Sequence, residues 1–151
     1  MATAGKSEFL VLLADDSSDD RLLLQRAFGK CQRFRLLGPV SDGTEVIAYL
    51  NGDGKFSNRL AYPFPDLLLL DLRMPQMDGF QVLKWLRTKT FPKLVVVVLS
   101  GSDHYADISK AVGLGAHFYH NKHANSERQI SVLKALEQHM SQREIATEGD
   151  W

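Results

Sequence analysis

Residues 67–79 read Leu67-Leu68-Leu69-Leu70-Asp71-Leu72-Arg73-Met74-Pro75-Gln76-Met77-Asp78-Gly79. Four consecutive leucines leave no polar side, so this run is a strand buried on both faces, the habit of a parallel sheet covered by helices. It ends in a carboxylate, Asp71, and a Met-Pro turn follows. Open α/β folds place their sites at the carboxyl edge of such strands. What the chain does therefore depends on which other residues reach that edge with Asp71.

Two more continuous apolar runs lie on either side. Residues 9–14, FLVLLA, lead into Asp15-Asp16-Ser17-Ser18-Asp19-Asp20, and residues 94–99, LVVVVL, lead into Ser100. The β-branched run in the second is a strand signal. Shorter strands are expected at 34–40 and 116–120, the latter running into Asn121-Lys122-His123. Helical spacing fills the intervals at about 18–30, 43–50, 79–87, 105–114 and 126–145. The first helix offers Leu22, Leu23, Arg26, Ala27 and Phe28 as a mixed apolar face, and the last offers Ile130, Leu133, Leu136 and Met140.

Five strands alternating with five helices dictate parallel pairing, right-handed crossovers and helices on both faces. The class is α/β, a doubly wound five-stranded parallel sheet. One domain is expected over 9–145, with a flexible lead at 1–8 and a tail at 146–151. Connections in such domains usually run two to six residues, so the stretch 51–65, with its prolines and aromatics and no clear period, reads as an insertion suited to partner contacts or a lid. Asn51-Gly52-Asp53-Gly54 lacks the alternating acids and closing glutamate of a calcium loop.

Composition narrows the function. The 151 residues are 44% hydrophobic and 24% charged, an ordinary globular balance. Basic and acidic residues number 18 each, which argues against a nucleic-acid face built from bulk charge. A single cysteine, Cys31, rules out a disulfide framework within the chain. No apolar run is long enough to span a membrane and residues 1–9 carry no secretory segment, so a cytoplasmic location is the expectation. The five histidines show no metal-ligand spacing and are read as surface or loop residues.

The strand ends converge on one chemistry. Parallel strands bring Asp15-Asp16, Asp71, Ser100 and Lys122 to a common edge. Carboxylates held this close repel one another, and one is driven to take up a proton unless a cation intervenes. An oxygen-only donor set with few protein ligands suits Mg²⁺. Lys122 can neutralise an incoming oxyanion and Ser100 can donate to it. An aspartate is a competent nucleophile for an acyl phosphate, so phosphoryl transfer onto a carboxylate is the reaction implied.

With these residues in place the chain resembles the receiver domains of two-component response regulators, over about residues 8–143. The pattern D-x-x-M-P-x-M-D-G occurs without a gap from Asp71 to Gly79, the acidic pair is Asp15-Asp16, and Ser100, Tyr119 and Lys122 follow in order. The resemblance implies a flavodoxin-like, CheY-like sheet of order 2-1-3-4-5 with its site between the first and third strands. It implies that Asp71 accepts a phosphoryl group from a histidine kinase. Asp16 and Asp71 would bind Mg²⁺ by side chain, Arg73 by its backbone carbonyl and Asp15 through water. Ser100, Tyr119 and Lys122 would form the stabilising and switching set, biasing two states of the domain.

The family lysine is usually followed by a cis proline. Here His123 follows, and a cis bond before a non-proline costs about 2.5–4 kcal/mol, so a trans bond is expected. The long 51–65 connection and Pro65-Asp66 resemble the small stand-alone regulators of bacterial phytochrome-type histidine kinases. Partners implied are such a kinase, a downstream protein or phosphotransfer partner, and a second copy of the chain through the last helix or the insertion; no nucleic acid or membrane is expected.

Two alternatives share the sheet. A phosphatase with an aspartyl-phosphate intermediate of the haloacid-dehalogenase type carries a second acid two residues after its nucleophile, where this chain has Arg73, so no general acid is available. A pseudo-receiver that binds partners without being phosphorylated is favoured only by the missing proline. The expectation is a phosphoacceptor that catalyses only its own phosphoryl transfer and dephosphorylation.

Overall fold

The computed structural model describes residues 8–101 and 105–148. It contains β1 (Phe9–Ala14), α1 (Ser18–Gly29), β2 (Phe34–Val40), α2 (Gly43–Asn51), a single 3-10 turn (Gly54–Ser57), β3 (Leu67–Asp71), α3 (Gly79–Leu86), β4 (Val95–Ser100), α4 (Tyr105–Gly113), β5 (Phe118–Asn121) and α5 (Ser126–Glu148). The strands form one sheet in the order β2-β1-β3-β4-β5, every pair parallel, as expected. Most boundaries fall within two residues of the sequence reading. The exception is α5, which runs through Glu148 and takes in residues assigned to the tail.

The period of two along each strand divides the core. Val11, Leu13, Leu67, Leu69, Val95, Val97 and Leu99 point to one face and meet Leu24 and Phe28 of α1 and Leu133, Leu136 and Met140 of α5. Leu12, Ala14, Leu68, Leu70, Val96 and Val98 point to the other and meet Val46, Tyr49 and Leu50 of α2, Phe80, Val82 and Leu83 of α3, and Ala111 of α4. All five residues of β3 are buried, so the leucine run is apolar because both its faces are interior.

Two expectations about helix faces need correction. Leu22 and Leu23 are about half exposed, and the core side of α1 is the i, i+4 pair Leu24 and Phe28. Ile130 is 39% exposed and stands at the rim of α5 rather than in the core. In both helices the seam against the sheet is narrower than the apolar content of the sequence.

The turn after β3 explains most of the 71–79 motif. Leu72 and Met74 are buried in the core. Gln76 takes a left-handed φ of 66°. Asp78 caps α3, accepting from the Gln81 backbone N–H at 2.9 Å while the Gln81 side chain accepts from the Asp78 N–H at 3.0 Å. Gly79 lies so close to the chain carrying the aspartate that a Cβ there would fall 2.5 Å from the Asp71 carbonyl oxygen and 2.8 Å from Leu72 Cα.

The insertion is folded onto the domain. Arg59 donates from Nη1 to the Tyr49 carbonyl at 2.8 Å and from Nη2 to the Leu50 carbonyl at 2.9 Å, closing the carboxyl end of α2. Phe56 and Tyr62 pack with Tyr49, whose hydroxyl donates to the Pro63 carbonyl at 3.0 Å. Leu60 projects, 97% exposed.

Gly79→Ala has no flexible neighbour to displace. It is expected to cost about 1–3 kcal/mol in urea denaturation, the usual penalty of overpacking against backbone. A loss below about 0.5 kcal/mol, the range of neutral surface changes, would show that the turn yields.

Candidate functional site

The carboxyl ends of β1, β3, β4 and β5 bring together the residues that the sequence singles out. Asp15 follows β1 directly and is fully buried; its Oδ1 accepts from the Ser17 backbone N–H at 2.9 Å. Asp71 closes β3, 2% exposed, and its Oδ1 accepts from the Arg73 backbone N–H at 3.3 Å. Asp16 stands exposed at the mouth. Oxygen atoms from Asp15, Asp16 and Asp71 lie within 4.8 Å of one another. Ser100 is buried at the end of β4, and its carbonyl accepts from the Lys122 backbone N–H at 3.0 Å, fixing the start of the loop after β5.

Lys122 is the centre of the site. Its side chain is 8% exposed, and its ammonium reaches Asp15 Oδ2 at 3.1 Å, Asp71 Oδ2 at 3.3 Å and Asp20 Oδ2 at 2.8 Å. Burial works against the charge, yet Asp20, Asp71 and Asp15 together hold its pKa above that of an ordinary lysine. Asp20, from the first turn of α1, is a residue that sequence reasoning missed, because an acid at a helix start already has a local explanation in the helix dipole. The available signal was spacing. Asp20 lies in the first turn of α1, which begins just past Asp16 at the end of β1. Partial burial would raise its pKa, but Lys122 and then His123 pull it below the usual carboxylate value, so it stays ionised.

The remaining residues are placed as follows. The only cis bond among the described residues is Gly38–Pro39, so Lys122–His123 is trans as expected. His123 directs Nε2 at Asp20 Oδ1, 3.2 Å away, in place of the absent proline ring. Tyr119 is half-buried on β5 and packs against the α2–α3–α4 core. The Arg73 side chain turns outward, pairing with Asp107 of α4 at 2.8 Å and lying over the Phe80 ring. The histidines are less uniform than expected. His120 is buried, and His117 Nδ1 accepts from the Val96 backbone N–H at 3.0 Å. His104 lies outside the described residues.

The arrangement has too many carboxylates for its single ammonium. Asp71 bears the consequence: burial, and then the charge of Asp15, push its pKa up to about 6 despite Lys122. Three carboxylate-bearing side chains crowded together, one of them with its pKa pushed up, fit a divalent cation, which would remove the repulsion. Asp15, Asp16 and Asp71 are the residues that would hold it. Bound there, the cation would offset negative charge on a group transferred to Asp71.

The raised Asp71 pKa fixes a direction for stability. Between the ordinary carboxylate value near 4 and about 6, the folded state binds more protons than the unfolded chain, so stability falls as pH rises through that window. In chelator at pH 8, Asp71→Asn should be more stable than the native chain by on the order of 2 kcal/mol, the gap closing towards pH 4. Urea denaturation at several pH values measures it; a less stable variant at pH 8 would mean that the lysine pairing outweighs the repulsion.

Comparison with known proteins agrees with this geometry. The family described as the response regulator receiver domain matches residues 11–134. Response regulator Rcp1 of Synechocystis is 29% identical over 129 residues, covering 85% of this chain and 86% of that protein. Its Mn²⁺-bound structure aligns with a TM-score of 0.71 over 85% of this chain and 91% of the other. The phosphorylated cyanobacterial phytochrome response regulator RcpA aligns at TM-score 0.73 and 32% identity, covering 87% and 92%. RPA3017, a response regulator in red light signalling of R. palustris, aligns at 0.72 and 32%, covering 84% and 90%. Three longer curated relatives are spanned over only 30%, 34% and 28% of their own length. Sequence, fold and the acidic strand-end cluster place this chain in the response regulator receiver domain family.

Proposed function

We propose that the chain is a phosphorylation-dependent signalling switch in which Asp71 is the phosphoacceptor. The observation that carries this reading is the buried Asp71 carboxylate, held 3.3 Å from the Lys122 ammonium and beside Asp15 and Asp16. In the transfer, an Asp71 oxygen bonds to the phosphorus, the phosphorus–nitrogen bond of a phosphohistidine donor breaks, and the released imidazole takes a proton from solvent. Lys122 donates to the transferred oxygens, and Ser100, buried at the neighbouring strand end, is the hydroxyl placed to do the same. Mg²⁺ on Asp15, Asp16, Asp71 and the Arg73 carbonyl is the cation proposed. Tyr119 is proposed to follow Ser100 when the phosphoryl group draws it inward.

The donor proposed is a histidine kinase of the phytochrome type. The support is the match to the phytochrome response regulator RcpA and to RPA3017 of red light signalling, over nearly their full lengths. The output proposed is a protein contact. Tyr105, Val112 and Phe118 are exposed on α4 and β5 and offer an apolar foothold to a downstream protein, a phosphotransfer partner or a second copy. No helix among the described residues is long and apolar enough to cross a membrane, and a kinase of this kind would meet the chain in the cytoplasm. The chain is proposed to turn over no substrate beyond its own phosphoryl group.

Incubation with Mg²⁺ and acetyl phosphate should add one phosphoryl group per chain, read by intact mass. Chelator and Asp71→Asn should each abolish it. Labelling that persists in Asp71→Asn would move the acceptor elsewhere, and an unlabelled native chain would favour a binding module on the same fold.

A further inference from the structure

Lys122 has three carboxylate partners, and they are not equivalent. Asp15 and Asp71 belong to the trio suited to the cation, and Asp71 is also the proposed acceptor. Asp20 belongs to neither set, yet it makes the shortest of the three contacts, 2.8 Å. Its backbone is fixed in the first turn of α1, where its N–H donates to Ser17 Oγ at 3.2 Å. Its two oxygens are divided: Oδ2 takes the ammonium and Oδ1 faces His123 Nε2 at 3.2 Å. His123 is seated in turn. Its backbone N–H donates to Asn121 Oδ1 at 2.9 Å, and its ring lies against Gly101, where a Cβ would come within 2.9 Å of Cε1.

We propose that Asp20 is a positioning residue that keeps Lys122 aimed at the phosphoryl site when Asp15 and Asp71 are engaged elsewhere, and that His123 holds Asp20 in place for that task. The proposal rests on Asp71 being the phosphoacceptor. A lysine ammonium is a point charge on a flexible four-carbon stem and needs an anchor to present a proton in one direction. It has three protons to donate. Once Asp15 turns to a cation and the Asp71 partner is replaced by a phosphoryl oxygen, Asp20 is the anchor that remains. Losing it spreads the ammonium over its rotamers and lowers its effective concentration at the transferring group. An ionised carboxylate only accepts, so His123 Nε2 carries the proton between them, and a neutral imidazole suffices.

Asp19 supplies the control. It shares the first turn of α1 and the same formal charge, but it is exposed and has no contact with Lys122 among those described. A helix-dipole or bulk-charge effect would appear in Asp19→Ala as strongly as in Asp20→Ala.

The test measures the initial labelling rate of the full chain with acetyl phosphate in excess Mg²⁺, alongside Mg²⁺ affinity by titration. Loss of a charge-assisted anchor should slow Asp20→Ala about tenfold, with Asp19→Ala within about twofold of native and the Mg²⁺ affinities of the two variants alike. His123→Ala should slow labelling about threefold, and His123→Gln, whose amide nitrogen reaches towards Asp20 as Nε2 does, should restore most of it. In the Asp20→Ala background His123→Ala should add nothing, the mark of residues acting in series. If Asp20→Ala does not fold, Asp20→Asn tests the same contact. An unlabelled native chain removes the phosphoacceptor reading itself. A labelled native chain with Asp20→Ala at the native rate, or with Mg²⁺ affinity lost in that variant alone, overturns the positioning role; additive losses at Asp20 and His123 overturn the part assigned to His123.

Discussion

The structure depends on one buried ammonium and the carboxylates packed around it. Lys122 meets Asp15, Asp20 and Asp71 from three different elements, β1's end, α1 and β3, while itself following β5. Charges taken out of water cost several kcal/mol each, and mutual attraction repays this only with good geometry and further hydrogen bonds. The further bonds are present: Asp15 also accepts from the Ser17 N–H, Asp71 from the Arg73 N–H, and the Lys122 carbonyl accepts from Gln129 Nε2 at 3.3 Å. Even so the acids outnumber the base. Pairing therefore holds the edge together without making it electrically comfortable, and that is the property a cation-dependent acceptor needs.

Everything else serves to deliver those groups with little freedom. Period-two alternation puts one set of leucines and valines under α1 and α5 and the other under α2, α3 and α4. A strand clamped on both faces cannot slip, because a shift of one residue would exchange the two faces. The carboxylate that ends it is therefore fixed in depth. The turn beyond is fixed by different means: the Asp78–Gln81 capping box, and the close approach of Gly79 to the Asp71 backbone. Of the nine-residue motif, Asp71 and the Arg73 carbonyl are the groups proposed to bear on the chemistry, and most of the rest builds the corner that holds them.

This division explains what could be read from the sequence. The central strands and the convergence of Asp15, Asp71 and Ser100 were legible because buried parallel strands are written as unbroken apolar runs ending at the same edge; the strand order and the part of Lys122, which follows the short mixed strand β5, came from the resemblance to receiver domains. Asp20 was not legible, since an acid in a first helical turn already has a sufficient local explanation. Nor could periodicity show that Leu22 and Leu23 face outward while Leu24 and Phe28 face in, because three adjacent leucines fit several seams. His120 looked like any loop histidine; burial and Arg128 hold its pKa below the ordinary value, consistent with a neutral ring under the sheet. The 51–65 insertion lacked a period because its order comes from one arginine closing a helix end and a cluster of rings, neither of which repeats along the chain.

The charge imbalance also bears on how a change at Asp71 reaches the surface. Arg73, two residues on, is tied at both ends: its N–H bonds to the Asp71 carboxylate, and its guanidinium pairs with Asp107 on α4 while lying over Phe80. Lys110 of α4 lies over the same ring at 4.3 Å. Conversion of the Asp71 carboxylate to an acyl phosphate, as proposed, would redistribute the bonds that Asp71 can accept, and the first backbone group affected would be the one that carries this tether. On the far side, Lys122 is joined by its backbone to Ser100 and by its ammonium to α1, so the same event pulls on β4 and on the loop after β5. Because packed cores settle into discrete arrangements rather than deforming continuously, phosphorylation of Asp71, as proposed, would act through these two lines of contact to bias the packing of α4 and β5, where Tyr105, Val112 and Phe118 are exposed.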